Sequence, residues 1–331
     1  MRWKRALWLA AGVALSLAAL SGCGFGGGKA VRMNVAAPQG SVWGVAAETF
    51  AQLVEEKSGG RRNVEITYAP SDADAERMLQ DLLDGKADAD LRAVSDWQSR
   101  DARLSALSMP WLFADYADAD ERLFDGSGGE AVLGWLAEIG VEPLALAENG
   151  FLQVTNDRRP ITAPADFRGL TVRVPKDAPD AALFTHFGAE TVALDWDETF
   201  FALQNGGVLG QRNALDAIRA ARVDCVQRYL TVWNCVYEPL CLNLSAQFRE
   251  KLSDEDIELF RAAAKEACAA EIAASRAQEE EILSRFRAGG VEVRTLTDEQ
   301  IRAFRAAAEP VCEAWRELCG GEALAALGYS G

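Results

Sequence analysis

The chain has 331 residues, 49% hydrophobic and 25% charged, the make-up of a soluble protein with room for two ordinary cores. Its net charge of −16 repels nucleic acid and anionic membrane surfaces, which argues against either as a partner bound by charge. An anionic ligand is repelled at long range as well, so binding one demands a local positive group.

In chain order, Met1 to Arg5 make a basic start and Ala6 to Leu20 a mostly apolar run, too short for a comfortable membrane span. The run ends in Leu20-Ser21-Gly22-Cys23, which resembles the lipobox of bacterial lipoproteins. That resemblance implies cleavage before Cys23, lipid attachment on its sulfur, and a mature protein held outside the cytoplasmic membrane. An ordinary signal peptide with an incidental cysteine is the alternative. Gly24 to Gly28 reads as a flexible tether, with residues 24–30 leading into the folded part.

Arg32 to Ala36 is a predicted strand, followed by a loop at Pro38 to Ser41 and a helix over Trp43 to Lys57 that Gly59-Gly60 ends. Asn63 to Tyr68 alternates as a strand, Asp74 to Leu83 reads as a helix, and Asp88 to Val94 follows as a strand carrying Arg92. Strands alternating with helices predict an α/β sheet with parallel pairings. Further on, Leu170, Val172 and Val174 alternate with Thr171 and Arg173 in a short strand stopped by Pro175. A guanidinium there is costly to bury unless an anion meets it. Asp195 with Glu198 has capping-box spacing, which places Trp196 in the first turn of a helix that Gly206-Gly207 ends. Asn213 closes the stretch on a loop. An arginine, an aromatic plane and an amide are what a pocket for a small carboxylate needs.

This stretch resembles the solute-binding proteins of tripartite ATP-independent periplasmic (TRAP) transporters. Their pattern is a strand with a characteristic arginine, a helix opening after an aromatic, then Gly-Gln-Glu-Asn-Pro. Arg173, Trp196 and Asn213 fall on the arginine, aromatic and amide positions. The resemblance implies that Arg173 holds a ligand carboxylate, Trp196 packs on the ligand and Asn213 hydrogen-bonds it. It extends from about residue 31 to 327 through Pro110 to Phe113 and Asn149 to Phe151. The departures are Arg212 for the glutamate, Ala214 for the proline, Leu209 for an aspartate, Asp72-Ala73 for a Leu-Gly, and Leu152 where many members carry a second arginine. Arg92 is a candidate to replace that second arginine; Arg212 is expected to be solvated. Asp72 and Asp74 could meet a ligand amine or make Asx turns. Trp43, Trp233 and Tyr237 are candidates to line the cleft.

Ser253 caps a helix with no Gly or Pro until Gly289, roughly 50 Å at 1.5 Å per residue. In the family a helix here runs across both domains. The implied fold is a two-domain periplasmic-binding-protein-like α/β fold, type II-like, with the chain crossing between domains and a long spine helix spanning both. One domain would hold residues 31–150 and 239–278, the other 151–238 and 279–331, with Val236 to Pro239 a crossing. Six cysteines follow residue 220; they permit three disulfides in any of several pairings, or pack as small buried hydrophobes.

The single histidine, His186, cannot build a zinc site, and no P-loop, Gly-x-Ser-x-Gly or dinucleotide motif is present. The residues argue for no enzyme, no cofactor and no metal. They point to a lipid-anchored extracytoplasmic receptor, in the periplasm or at the cell surface. It would bind a small organic acid between two domains and deliver it to the membrane permease of a TRAP-type secondary transporter. A ligand sensor for a membrane kinase is the alternative.

Overall fold

The structure, a computed structural model, describes residues 30–176 and 178–329. The signal segment, Cys23 and the glycine tether lie outside the described residues. The first half alternates as the sequence predicts: β1 (Val31–Val35), α1 (Trp43–Lys57), β2 (Val64–Tyr68), α2 (Asp72–Leu83) and β3 (Ala89–Ala93). Helix α2 starts two residues before the predicted Asp74, because Ser71 caps it by accepting the Asp74 amide at 3.2 Å. Two helices, α3 (Tyr116–Ala119) and α4 (Ser127–Glu138), then lead into β4 (Val141–Asn156). The second half runs β5 (Thr171–Val174), α5 (Ala181–His186), β6 (Glu190–Ala193), α6 (Trp196–Gln204), β7 (Gly210–Asn213) and α7 (Leu215–Ala220). It continues through β8 (Tyr229–Ser245), α8 (Ala246–Arg249), α9 (Asp254–Ala288), β9 (Glu292–Thr295), α10 (Asp298–Cys319) and α11 (Gly321–Ala326).

The nine strands among the described residues form one sheet in the order β2-β1-β3-β8-β4-β7-β5-β6, with β9 added to β8. The outer pairings are parallel, as βαβ units require, but β3-β8, β8-β4 and β4-β7 are antiparallel. The expected parallel pairings are joined at the centre by antiparallel ones, where β4 and β8 run against each other and against β7 and β3. β4 and β8 are the crossing segments, 16 and 17 residues long, and each serves both ends of the sheet. Leu240 to Leu244 of β8 pair with β3, whereas Tyr229 to Val232 pair with β9. The pair is irregular between Glu148 and Gly150 and again between Leu152 and Val154. Pro239, which has no N–H to give a ladder, sits beside the first of these irregularities. Gly150 adopts φ +87° there, and a Cβ on it would meet the Tyr116 hydroxyl at 3.0 Å.

Helix α9 is unbroken over 35 residues, about 52 Å at the standard rise. Ser253 accepts the Asp256 amide at 3.1 Å, the cap that the sequence predicts. Ile257, Phe260 and Cys268 pack in one core with α1, β1 and β3, while Ile282, Leu283 and Phe286 pack in another with α7 and β9. A third core lies under α10 and α11 and takes residues from both halves of the chain, among them Trp97, Trp111, Phe167 and Phe304. All six cysteines in the described residues are unpaired, and all but Cys225 are buried. His186 touches the Ala307 carbonyl at 2.8 Å, a packing contact between α5 and α10.

Candidate functional site

Strand register gathers the central residues. Arg173 on β5 pairs with Gln211 on β7. Residues two apart on a strand share a face, so Asn213 lies on the same side of the sheet as Arg173. Trp196 opens α6, just beyond β6, and its ring lies 5.3 Å from the Arg173 guanidinium carbon. The three residues predicted for a carboxylate pocket are thus brought together.

Arg173 is only 1% exposed. Its Nε donates to the Leu194 carbonyl at 2.8 Å, and among the described residues its Nη atoms have no hydrogen-bond partner. The closest carboxylate is Asp72, 3.8 Å from Nη2. Burial, helped by the nearby charge of Arg212, pulls the Arg173 pKa down to about 10. It remains a cation at neutral pH, but one that lacks an intimate anion. Asn213 accepts the Ala214 amide through Oδ1 at 2.8 Å, which leaves its NH2 group to donate.

Asp195 is the residue before α6, but its side chain makes no cap, contrary to the capping-box expectation. It pairs instead with Lys176 at 2.9 Å. The free Trp196 amide is taken from across the cleft by Asp72 of α2, at 2.7 Å. Burial raises the Asp72 pKa, while the Trp196 amide and Arg173 oppose the rise. A second contact of this kind joins the Asp216 carboxylate, in α7, to the Val42 amide before α1 at 3.0 Å. The two halves therefore meet through carboxylate-to-amide bonds on either side of the cleft.

The opposite wall comes from α1, β3, β4 and β8. Trp43 donates from Nε1 to Asn149 Oδ1 at 3.1 Å, which fixes the orientation of that amide; Asn149 Nδ2 donates to Glu238 at 2.6 Å. Ser95 holds the other Glu238 oxygen at 3.0 Å. Asp96, in the turn that follows β3, accepts from Arg92 at 3.0 Å. Its side chain is 38% accessible. Burial, with Glu238 and Asp90 adding to it, pushes its pKa up to about 6.

Expectations for four residues need correction. Arg92 is 1% exposed and its guanidinium is committed to Asp90, Asp96 and the Ala75 carbonyl, so it does not present a free group in place of the missing second arginine. Trp233 lies in the core among Phe167, Phe184 and Phe304, with Nε1 on the Leu152 carbonyl at 3.0 Å. Tyr237 is packed against Phe113, Tyr116 and Phe151, with its hydroxyl on Glu148 at 2.7 Å. Neither aromatic lines the cleft; alternation along β8 cannot reveal this, because both faces of that strand are covered. Arg212, expected in solvent, is buried and forks onto Asp180 at 2.7 and 2.9 Å. Asp96 and Glu238 escaped sequence reasoning, since an isolated acid looks the same whether it faces water or a cleft.

A cleft between two halves of a shared sheet, floored by a buried arginine and spanned by a long helix, defines a solute-binding protein. The chain belongs to the DctP family of bacterial extracellular solute-binding proteins, family 7, which it matches over residues 33–318. It is 31% identical over 265 residues to a solute-binding protein of Verminephrobacter eiseniae, covering 80% of this chain and 78% of that one. Its structure resembles a TRAP periplasmic solute-binding protein of Ralstonia eutropha with bound (S)-2-acetolactate. The TM-score is 0.83 at 28% identity, covering 91% of this chain and 98% of the other. Another such protein, from Polaromonas and bound to D-erythronate, has a TM-score of 0.82 at 28% identity, covering 90% and 97%. The family is the one that Arg173, Trp196 and Asn213 resemble, and nothing in these likenesses points to the sensor alternative.

Proposed function

We propose that this receptor closes on a small organic carboxylate gripped by Arg173, with Trp196 packed beside it and the Asn213 amide donating to it, and hands the ligand to a TRAP permease. The observation that carries this reading is the buried Arg173 guanidinium whose Nη atoms lack hydrogen-bond partners among the described residues, since a buried cation is retained where an anion repays its desolvation. The acetolactate and erythronate of the two structural relatives are both carboxylates, which supports the ligand class. Closure would hinge where β4 and β8 lose register, with residues 31–150 and 239–278 moving against 151–238 and the rest.

A lipid on Cys23 would hold the receptor at the membrane. Incorporation of labelled fatty acid, lost in Cys23→Ser, tests that anchor. For the site, thermal unfolding of residues 24–331 is measured against a panel of organic acids. A ligand at about a thousand times its dissociation constant adds about 4 kcal/mol of stability. The response should vanish in Arg173→Ala; a variant that binds within about twofold of wild type ends the assignment.

A further inference from the structure

Two helices at the cleft begin without a side-chain cap of their own. Helix α1 opens on Trp43, and the residue before it, Val42, has no side chain able to cap. Helix α6 opens on Trp196, and Asp195 before it turns to Lys176 instead. A helix start leaves its first amides without an intrahelical acceptor, so each of these starts must find one elsewhere. Both find it at the other end of the sheet. Helix α6 lies between β6 and β7, and the Trp196 amide donates at 2.7 Å to Asp72 of α2, which joins β2 to β3. Helix α1 lies between β1 and β2, and the Val42 amide donates at 3.0 Å to Asp216 of α7, which follows β7. The arrangement is reciprocal: each end of the sheet holds one such helix and lends a carboxylate to the other's.

A carboxylate suits both places, since it accepts the amide and also meets the positive end of the helix dipole. The Asp72 oxygen that takes the Trp196 amide lies 3.8 Å from Arg173 Nη2, and the Trp196 ring lies 5.3 Å from the guanidinium carbon. One bond from the far end of the sheet therefore holds the helix turn that sets Trp196 beside Arg173. Asp216 is buried, and Arg219 of its own helix holds Oδ1, which leaves Oδ2 for the Val42 amide. Had Asp195 capped α6, that first turn would be complete within its own half of the molecule.

We propose that Asp72 and Asp216 are reciprocal caps that fasten the closed cleft, and that Asp72 is a positioning residue which sets Trp196 beside Arg173 as the cleft shuts. This rests on the reading that the two halves open and close, and not on which ligand they close around. When the halves part, both amides lose their acceptors together, so the first turns of α1 and α6 loosen in a single event.

The test is hydrogen–deuterium exchange of the ligand-free protein, read by mass spectrometry over residues 41–46, residues 195–200 and, for reference, α10. Asp72→Ala and Asp216→Ala, made singly, should each speed exchange by about tenfold or more at both of the first two segments and leave α10 unchanged. Asp72→Asn and Asp216→Asn keep an oxygen acceptor and should stay within about threefold of wild type at both. Faster exchange confined to the segment that lost its acceptor, 195–200 for Asp72 and 41–46 for Asp216, overturns the coupling and leaves two independent caps. Exchange unchanged in both alanine variants overturns the inference outright. Exchange raised alike at all three segments overturns it too, because the two aspartates are then general supports of the fold. No ligand enters the experiment, so each of these failures leaves the Arg173 assignment standing. A panel of organic acids without a thermal response would remove that assignment and leave the exchange result as it is.

Discussion

Arg173→Met should sever ligand binding while leaving the empty receptor at least as stable as wild type. The Arg173 pKa falls from 12.5 to about 10 on folding, a cost on the order of 3 kcal/mol at 1.36 kcal/mol per unit. For a base whose folded pKa is depressed, that cost is present in full at every pH below about 10 and is relieved only above it. Methionine keeps much of the volume but forfeits the bond to the Leu194 carbonyl, about 1 kcal/mol, and the Trp196 contact, about another. The balance lies between no change and about 2 kcal/mol in favour of the variant, as for other buried charges replaced by apolar residues. Affinity for the carboxylate should drop by at least roughly 2 kcal/mol, about thirtyfold. Denaturant unfolding of the ligand-free protein at pH 7, paired with titration of the acid found by thermal screening, measures both numbers. Loss of more than about 2 kcal/mol of stability in the empty variant would refute the reasoning. Arg173 would then be a structural arginine already satisfied by Asp72.

Three other expectations follow from the same geometry. Asp180→Ala removes the partner of buried Arg212 and should cost about 3–5 kcal/mol in denaturant unfolding; the added positive charge beside Arg173 should make bound carboxylate stabilise this variant more than wild type. Glu271, fully buried in α9 near Glu148 and Asp216, has its pKa raised by burial to about 9. A raised folded pKa gives stability that is complete below the unfolded value and is lost as pH rises towards 9. Glu271→Gln should therefore flatten the decline in stability between about pH 5 and 9; an unchanged slope in a pH series of unfolding curves would count against a protonated Glu271. Gly210→Ala would set a Cβ 2.6 Å from the Thr155 carbonyl, forcing β7 off β4 at a cost of roughly 1–3 kcal/mol. Because β7 carries Asn213, ligand affinity should fall with the unfolding midpoint, and a variant that loses stability alone would separate the strand from the site.

Local signals in the chain determine a good deal. Alternation in β1, β2 and β5 and the serine cap and terminal glycine of α9 are readable because each depends on neighbours within a few residues; Arg173, Trp196 and Asn213 were singled out by their resemblance to a family pattern. The long run without Gly or Pro between Asp254 and Ala288 is enough to give a helix that outgrows one domain. What the tertiary structure alone decided depends on partners far along the chain. Asp72, some 120 residues before Trp196, supplies the amide acceptor that Asp195 was expected to give. Trp233 and Tyr237 were drawn into aromatic cores because β8 lies at the centre of the sheet, covered on both sides. Arg92 and Arg212 look alike as exposed cations in sequence, yet each is buried because Asp90 and Asp180 neutralise it there. A sequence shows which side chains carry charge; which charges are met by another is settled only when the strands come together.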